Sequence, residues 1–129
     1  MYVGLDHIAI RVKDLDTAIK QYEKLGFTLE RQGRVESLGI RQAIFALGSS
    51  RSFIELVEPI DPNKAVGKAL ERYGEGIHTV AVSVDDLTAT VAPLKEAGVN
   101  VILPDGDEGT AFVHPKETYG VLLQLVKLH

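Results

Sequence analysis

Four histidines, His7, His78, His114 and His129, and eighteen acidic side chains are the groups of this 129-residue chain able to move protons or hold a cation, and there is no cysteine. The missing thiol excludes disulfides, Cys-ligated zinc and thiol nucleophiles, so any metal must take His, carboxylate or amide ligands. One carboxylate stands out by its surroundings. Glu55 sits in the middle of the apolar run Phe53-Ile54-Glu55-Leu56-Val57, where a bare charge would be expensive, so it wants a partner. Arg11, Arg41 or backbone donors would satisfy it structurally; a metal or a ligand would satisfy it functionally. Arg41 and Lys116 could meet an anionic group, although isolated basic residues are usually solvated. The net charge of −4, with scattered basic residues, gives no electrostatic footprint for nucleic acid.

These residues must be positioned by elements that the hydrophobic pattern predicts. In residues 7–12, Ile8, Ile10 and Val12 share one face and His7, Ala9 and Arg11 the other, the alternation of a half-buried strand. Asp14 then offers an N-cap, Leu15, Ala18, Ile19, Tyr22 and Leu25 recur at helical spacing, and Gly26 supplies a stop, which predicts a helix over 15–25. Strands follow at 27–32, 41–47 and 52–58, with a lid loop at 33–40 and a turn at Gly48-Ser49-Ser50. No run approaches the roughly 18 apolar residues of a membrane span, and the first residues alternate rather than forming a signal-peptide core. The expectation is a cytoplasmic protein with no membrane partner. With 45% hydrophobic and 25% charged residues, one core suffices to fold it.

The second half repeats the first. Shifted by 72, Ile8, Ile10, Val12, Asp14, Leu15 and Gly26 fall on Val80, Val82, Val84, Asp86, Leu87 and Gly98. A helix at 87–97 follows, in which Pro93 should remove an internal hydrogen bond or cause a kink. The strand around Glu55 is echoed by Leu122-Leu123-Gln124-Leu125-Val126. The repeat predicts an α+β domain of two βαβββ modules, residues 5–60 and 77–127, joined by a connector at 61–76 with a short helix around 64–73. Two modules making one closed sheet is the simplest arrangement.

The phrases DHIAIRV, FIELVEP, GEGIHTVAVSVDDL and FVHPKETYGVLLQL resemble, in order, segments of the vicinal oxygen chelate superfamily over nearly the whole chain. Within it, GEGIH, HPKETYGVLL and IELVEP look most like methylmalonyl-CoA epimerase, with glyoxalase I next. The resemblance implies a single cupped, mostly antiparallel eight-stranded sheet with helices outside. It further implies a homodimer and a divalent metal, for instance cobalt, nickel, manganese or zinc, held by four side chains. Such a metal stabilises an enolate while a carboxylate moves the adjacent proton. The motifs are specific for the fold and much less so for the reaction.

Carried over residue by residue, the first ligand position is matched by His7 and the second by Glu55. At the third, the 72-residue offset places Thr79 rather than His78 opposite His7, and one residue of strand register flips a side chain to the other face. A local bulge would re-aim His78 into the set; without one, Thr79 faces the ligand and His78 is structural. The fourth position, a glutamate in the family, is Gln124 here. An amide oxygen can bind metal but has no useful basicity. Glu36, in the expected lid, and Glu58 are the other carboxylates that position allows as a base. Arg41 and Lys116 are candidates for a carboxylate or coenzyme A phosphate. His114 belongs to a phrase that shapes the pocket rim in the family, and His129 is terminal.

Two functions compete. In the first, His7, Glu55 and Gln124, with His78 or Thr79, hold a metal, Glu55 and Gln124 act catalytically, and an isomerase or lyase transfers a proton beside the carbonyl of an acyl-CoA or small oxyanionic ligand. In the second, the same pocket sequesters a small molecule without metal. Retained His7 and Glu55 favour the first; Thr79 and Gln124 favour the second. A non-haem iron dioxygenase needs two His and one carboxylate and ranks last.

Overall fold

The helices that follow Asp14 and Asp86 begin for the same reason. Each aspartate is extended, with φ −134° and −140°, and its carboxylate accepts an N–H three residues on, from Thr17 at 3.2 Å and from Ala89 at 3.0 Å. This satisfies one of the donors that a helix start leaves unpaired. Both helices also stop alike: Gly26 and Gly98 take positive φ of 100° and 83°, and the next N–H returns to the Tyr22 and Leu94 carbonyls, a glycine-dependent reversal. Every one of these pairs is separated by 72 residues.

The computed structural model describes residues 1–104 and 108–128. Its strands are β1 (Tyr2–Arg11), β2 (Thr28–Val35), β3 (Ile40–Ala46), β4 (Phe53–Pro59), β5 (Gly76–Val84), β6 (Val101–Ile102), β7 (Thr110–Val113) and β8 (Leu123–Lys127). The helices are α1 (Leu15–Lys24), α2 (Ala65–Tyr73) and α3 (Leu87–Glu96), with short 3-10 turns at Glu36–Leu38 and Pro115–Glu117. The strands hydrogen-bond in the order β2-β3-β4-β1-β5-β8-β7-β6. β5 and β8 run parallel, whereas β2–β3, β3–β4, β6–β7 and β7–β8 are antiparallel. The architecture is therefore the expected α+β one, but the sheet is open where closure was the simplest expectation. Its ends are β2, which is almost wholly exposed, and the two-residue β6. Polar composition and shortness are both ways of blunting an edge.

Contacts divide the chain into two units, Ile8–His78 and Met1–His7 with Thr79–His129. In the first, Val12, Leu15, Ile19, Ala43, Phe45 and Leu56 form the core, and Tyr22, Phe27 and Phe45 pack ring to ring at 5.3–6.4 Å. A smaller cluster of Ile40, Val57 and Val66 seats α2. In the second unit, Val84, Val91, Ala111, Val113 and Leu125 form an aliphatic core with Leu87 and Leu94 of α3. α3 continues through Pro93, whose missing N–H deprives the Ala89 carbonyl of its usual helical donor.

The lid expected at 33–40 is not a loop. β2 runs on to Val35 by pairing Gln32 with Ala43, Gly33 with Gln42 and Arg34 with Arg41, and only Glu36–Leu38 turn before β3. An exposed edge strand needs no apolar alternation, so its polar sequence resembled a loop. The second expected pocket loop, 104–110, has residues 105–107 outside the described residues, as is His129.

Candidate functional site

In the unit formed by Met1–His7 and Thr79–His129, side-chain parity separates a helix face from a second face. Val82 and Val84 of β5, Ala111 and Val113 of β7, and Leu123 and Leu125 of β8 pack with α3. The alternate residues, Thr79, Ala81 and Ser83, then Thr110 and Phe112, then Gln124, consequently point the other way. Gln124 is registered against Ala81 on one side and Phe112 on the other. Thr79 is buried on this face at 4% exposure.

His7 is buried in the same unit, with its Nδ1 2.7 Å from Asp6 Oδ2. Ser83 Oγ donates to the other Asp6 oxygen at 3.3 Å. A carboxylate oxygen only accepts, so His7 Nδ1 donates to Asp6. A carboxylate behind an imidazole is the arrangement that orients metal-binding histidines. Gln124 is held similarly: its Nε2 donates to Thr110 Oγ1 at 2.9 Å, and Thr110 Oγ1 donates to the Leu125 carbonyl at 3.2 Å. An imidazole and an amide are thus each anchored by a neighbour, and both are ligand types suited to a borderline divalent ion. Among the described residues no three His, Asp or Glu side chains gather into a ready-made cation cage; a set completed by amide or hydroxyl oxygens is a different one. Gln124 and Thr79, on one sheet face, are of the oxygen types such a set would use, and His7 of the same unit is of the nitrogen type.

The other unit places its candidates differently. His78 lies against Arg11, whose Nη1 donates to His78 Nδ1 at 3.1 Å and to the Ile77 carbonyl at 3.1 Å, while its Nε donates to the Gly74 carbonyl at 3.0 Å. Because a guanidinium only donates, His78 Nδ1 accepts. Burial, then the Arg11 charge, pushes the His78 pKa down to about 4. Arg41 donates to Asp16 at 3.0 Å and to Glu58 at 3.2 Å, partners that an anionic ligand would have to displace. The second Glu58 oxygen accepts the Leu15 N–H at 2.8 Å, so Glu58 caps α1 rather than standing ready as a base. Glu36 is exposed and takes a bond from Arg34 Nε at 2.9 Å. Glu55, on β4, is half-buried.

His114 closes the 3-10 turn at Pro115–Glu117 by accepting the Lys116 N–H at its Nδ1, and Lys116 itself is exposed. Tyr119, at positive φ of 58° and fully exposed, ends the same rim phrase. An acidic hollow of about 680 Å³ at the start of α3, lined by Asp85, Asp86, Thr88, Glu108 and Lys127 among others, includes no candidate residue. Sequence reasoning missed Asp6, Ser83 and Thr110. Asp6 is visible as the neighbour of His7, whereas Thr110 carries no signal until the β7–β8 register is known.

This fold and this face define a class: the Glyoxalase-like domain family matches residues 5–124, and the chain belongs to it, as its resemblance to the vicinal oxygen chelate superfamily implied. More particular similarities follow. The ethylmalonyl-CoA/methylmalonyl-CoA epimerase of Cereibacter sphaeroides is 32% identical over 130 residues, covering 94% of this chain and 95% of that one. The crystal structure of methylmalonyl-CoA epimerase from Mycobacterium tuberculosis superposes with a TM-score of 0.88 at 36% identity, over 99% of this chain and 89% of that one. A Streptomyces coelicolor methylmalonyl-CoA epimerase in complex with 2-nitronate-propionyl-CoA gives 0.89 at 33% identity, over 98% of each.

Proposed function

We propose that this protein is an acyl-CoA epimerase that inverts the carbon next to the thioester of a methylmalonyl-CoA-like substrate with help from a divalent metal. The observation that carries the reading is the pair of oriented donors, His7 backed by Asp6 and Gln124 backed by Thr110. Full-length similarity to epimerases supports it, one of them holding a nitronate analogue of an acyl-CoA. A nitronate is planar and anionic, as the deprotonated substrate would be.

His7 and Gln124 would hold the metal with Thr79 or water, and Glu55 keeps the carboxylate role that the family resemblance implies. Bound there, a divalent ion would supply Lewis-acid stabilisation of the enolate oxygen. The amide of Gln124 has no useful basicity, so the substrate proton falls to a carboxylate. Glu55 is our assignment: the C–H bond breaks toward its oxygen, the electron pair moves onto the thioester carbonyl, a water on the opposite face gives a proton to the carbon, and the hydroxide left behind is neutralised by the proton that Glu55 releases. The same reading includes a cytoplasmic homodimer, measurable by light scattering.

The test is loss of the C2 proton of methylmalonyl-CoA in D2O, followed by NMR after loading with cobalt, nickel, manganese or zinc. We expect metal-dependent exchange that Glu55→Gln lowers by about 10²-fold or more, the range for a general base. No exchange under any loading contradicts the epimerase. The second reading, a metal-free binding module, is favoured by Gln124 standing where the family has a glutamate. Tight binding of propionyl-CoA to metal-free protein, without exchange, would select it.

A further inference from the structure

The face that carries Gln124 also contains a device that decides which end of its amide is presented. Asparagine and glutamine amides are nearly symmetric in shape, so only their hydrogen-bond partners distinguish oxygen from nitrogen. Thr110 and Gln124 are diagonal neighbours: Gln124 pairs with Phe112, and Thr110 stands two residues away on the same face of β7. The threonine hydroxyl has one proton. It lies 3.2 Å from the Leu125 carbonyl, which can only accept, so the proton goes there. What remains on Oγ1 toward Gln124 is a lone pair, which requires the amide nitrogen, found at 2.9 Å. Turning the amide over would put two acceptors in competition for one proton and lose a hydrogen bond.

We infer that Thr110 is a positioning residue that turns Gln124 so that its oxygen, not its nitrogen, is presented to whatever binds this face. The inference rests on the functional reading above only in supposing that this face binds a ligand. Its chemical consequence is selectivity. The presented group is a neutral acceptor, which suits a divalent cation or an N–H or O–H donor and disfavours direct contact with a ligand carboxylate or phosphate oxygen. Thr110 thereby lets an amide imitate the oxygen face of the glutamate that the family carries at this place. One hydrogen bond corresponds to roughly a tenfold bias between the two amide orientations.

The experiment uses apo protein first. In ¹⁵N–¹H spectra the Gln124 side-chain NH2 pair, identified by its loss in Gln124→Glu, should shift and exchange faster with water in Thr110→Val, and should stay near the wild-type positions in Thr110→Ser. Cobalt titration of the same proteins should show about tenfold weaker binding for Thr110→Val and near wild-type binding for Thr110→Ser. Unchanged Gln124 NH2 signals in Thr110→Val overturn the inference. Should Thr110→Val not fold, Thr110→Ala is compared with Thr110→Ser by the same signals. Failure of the wild type to bind cobalt would count against the metal-assisted reading, while the amide signals still decide the role of Thr110.

Discussion

The two units are built on one repeat and spend their equivalent positions differently. Asp14 and Asp86 cap equivalent helices, Gly26 and Gly98 end them, and Leu15, Ile19 and Leu56 answer to Leu87, Val91 and Leu125 in the cores. The position that is Arg11 in Ile8–His78 is Ser83 in the other unit, 72 residues on. Arg11 is buried and uses its guanidinium on the Gly74 and Ile77 carbonyls and on His78, tying the end of the connector down. Ser83 instead supports Asp6 behind His7. The core filling differs too, since Tyr22, Phe27 and Phe45 have only aliphatic counterparts. The difference teaches that one repeat can carry two kinds of packing: in Ile8–His78 the Arg11 guanidinium and three aromatic rings hold the connector and the core. In the other unit Thr79, Ser83, Thr110 and Gln124 share a sheet face, and Asp6 backs His7.

That contrast can be broken most severely at Phe45, which is fully buried. Phe45→Ala should destabilise by about 3–5 kcal/mol, the range for a large core aromatic, as measured by urea denaturation. Arg11→Met comes next. It leaves two carbonyls and an imidazole without their donor, an expected loss of about 2–4 kcal/mol, while the apo Gln124 amide signals should stay in place. A shift of those signals would show that the units do not divide the work in this way.

His78 sharpens the comparison through pH. Its folded pKa is lowered from 6.5 to about 4 by burial and Arg11, so between those values the unfolded chain binds more protons than the folded one. The stability contributed by neutral His78 is fully present above pH 6.5 and is lost as pH falls toward 4, by an amount on the order of 2 kcal/mol. Denaturation midpoints at pH 7, 5.5 and 4.5 should show that slope in the wild type and less of it in His78→Gln. The smallest effect is expected at Glu58→Gln, which weakens the link from Arg41 and keeps an oxygen for the Leu15 N–H. About 0.5–1 kcal/mol is the expected loss.

Much of this was legible in the residues because repetition makes its own control. The 72-residue offset aligned caps, stops and core positions, and strand alternation distinguished Thr79 from His78 without coordinates. Other features depend on partners distant in sequence. Edge strand β2 is polar and largely exposed, so no periodicity marked Gly33–Val35 as its continuation. Openness of the sheet follows from a strand order that ends at β2 and β6 among the described residues, a property no local segment contains. Arg41 and Glu58 read as available ligand or base groups until the fold placed them on each other and on α1. Thr110 was silent because its importance arises from a diagonal contact between two strands.

The proposed function makes His7 and Gln124 the metal-holding residues and leaves Arg11 and His78 to structure. Cobalt titration with visible spectroscopy tests it most directly, on the wild type, His7→Ala and Arg11→Met under conditions where each is folded. The account predicts near-stoichiometric cobalt in the wild type and Arg11→Met, and binding weakened by at least tenfold in His7→Ala. Equal cobalt affinity in wild type and His7→Ala, or no binding in any of them, would contradict it.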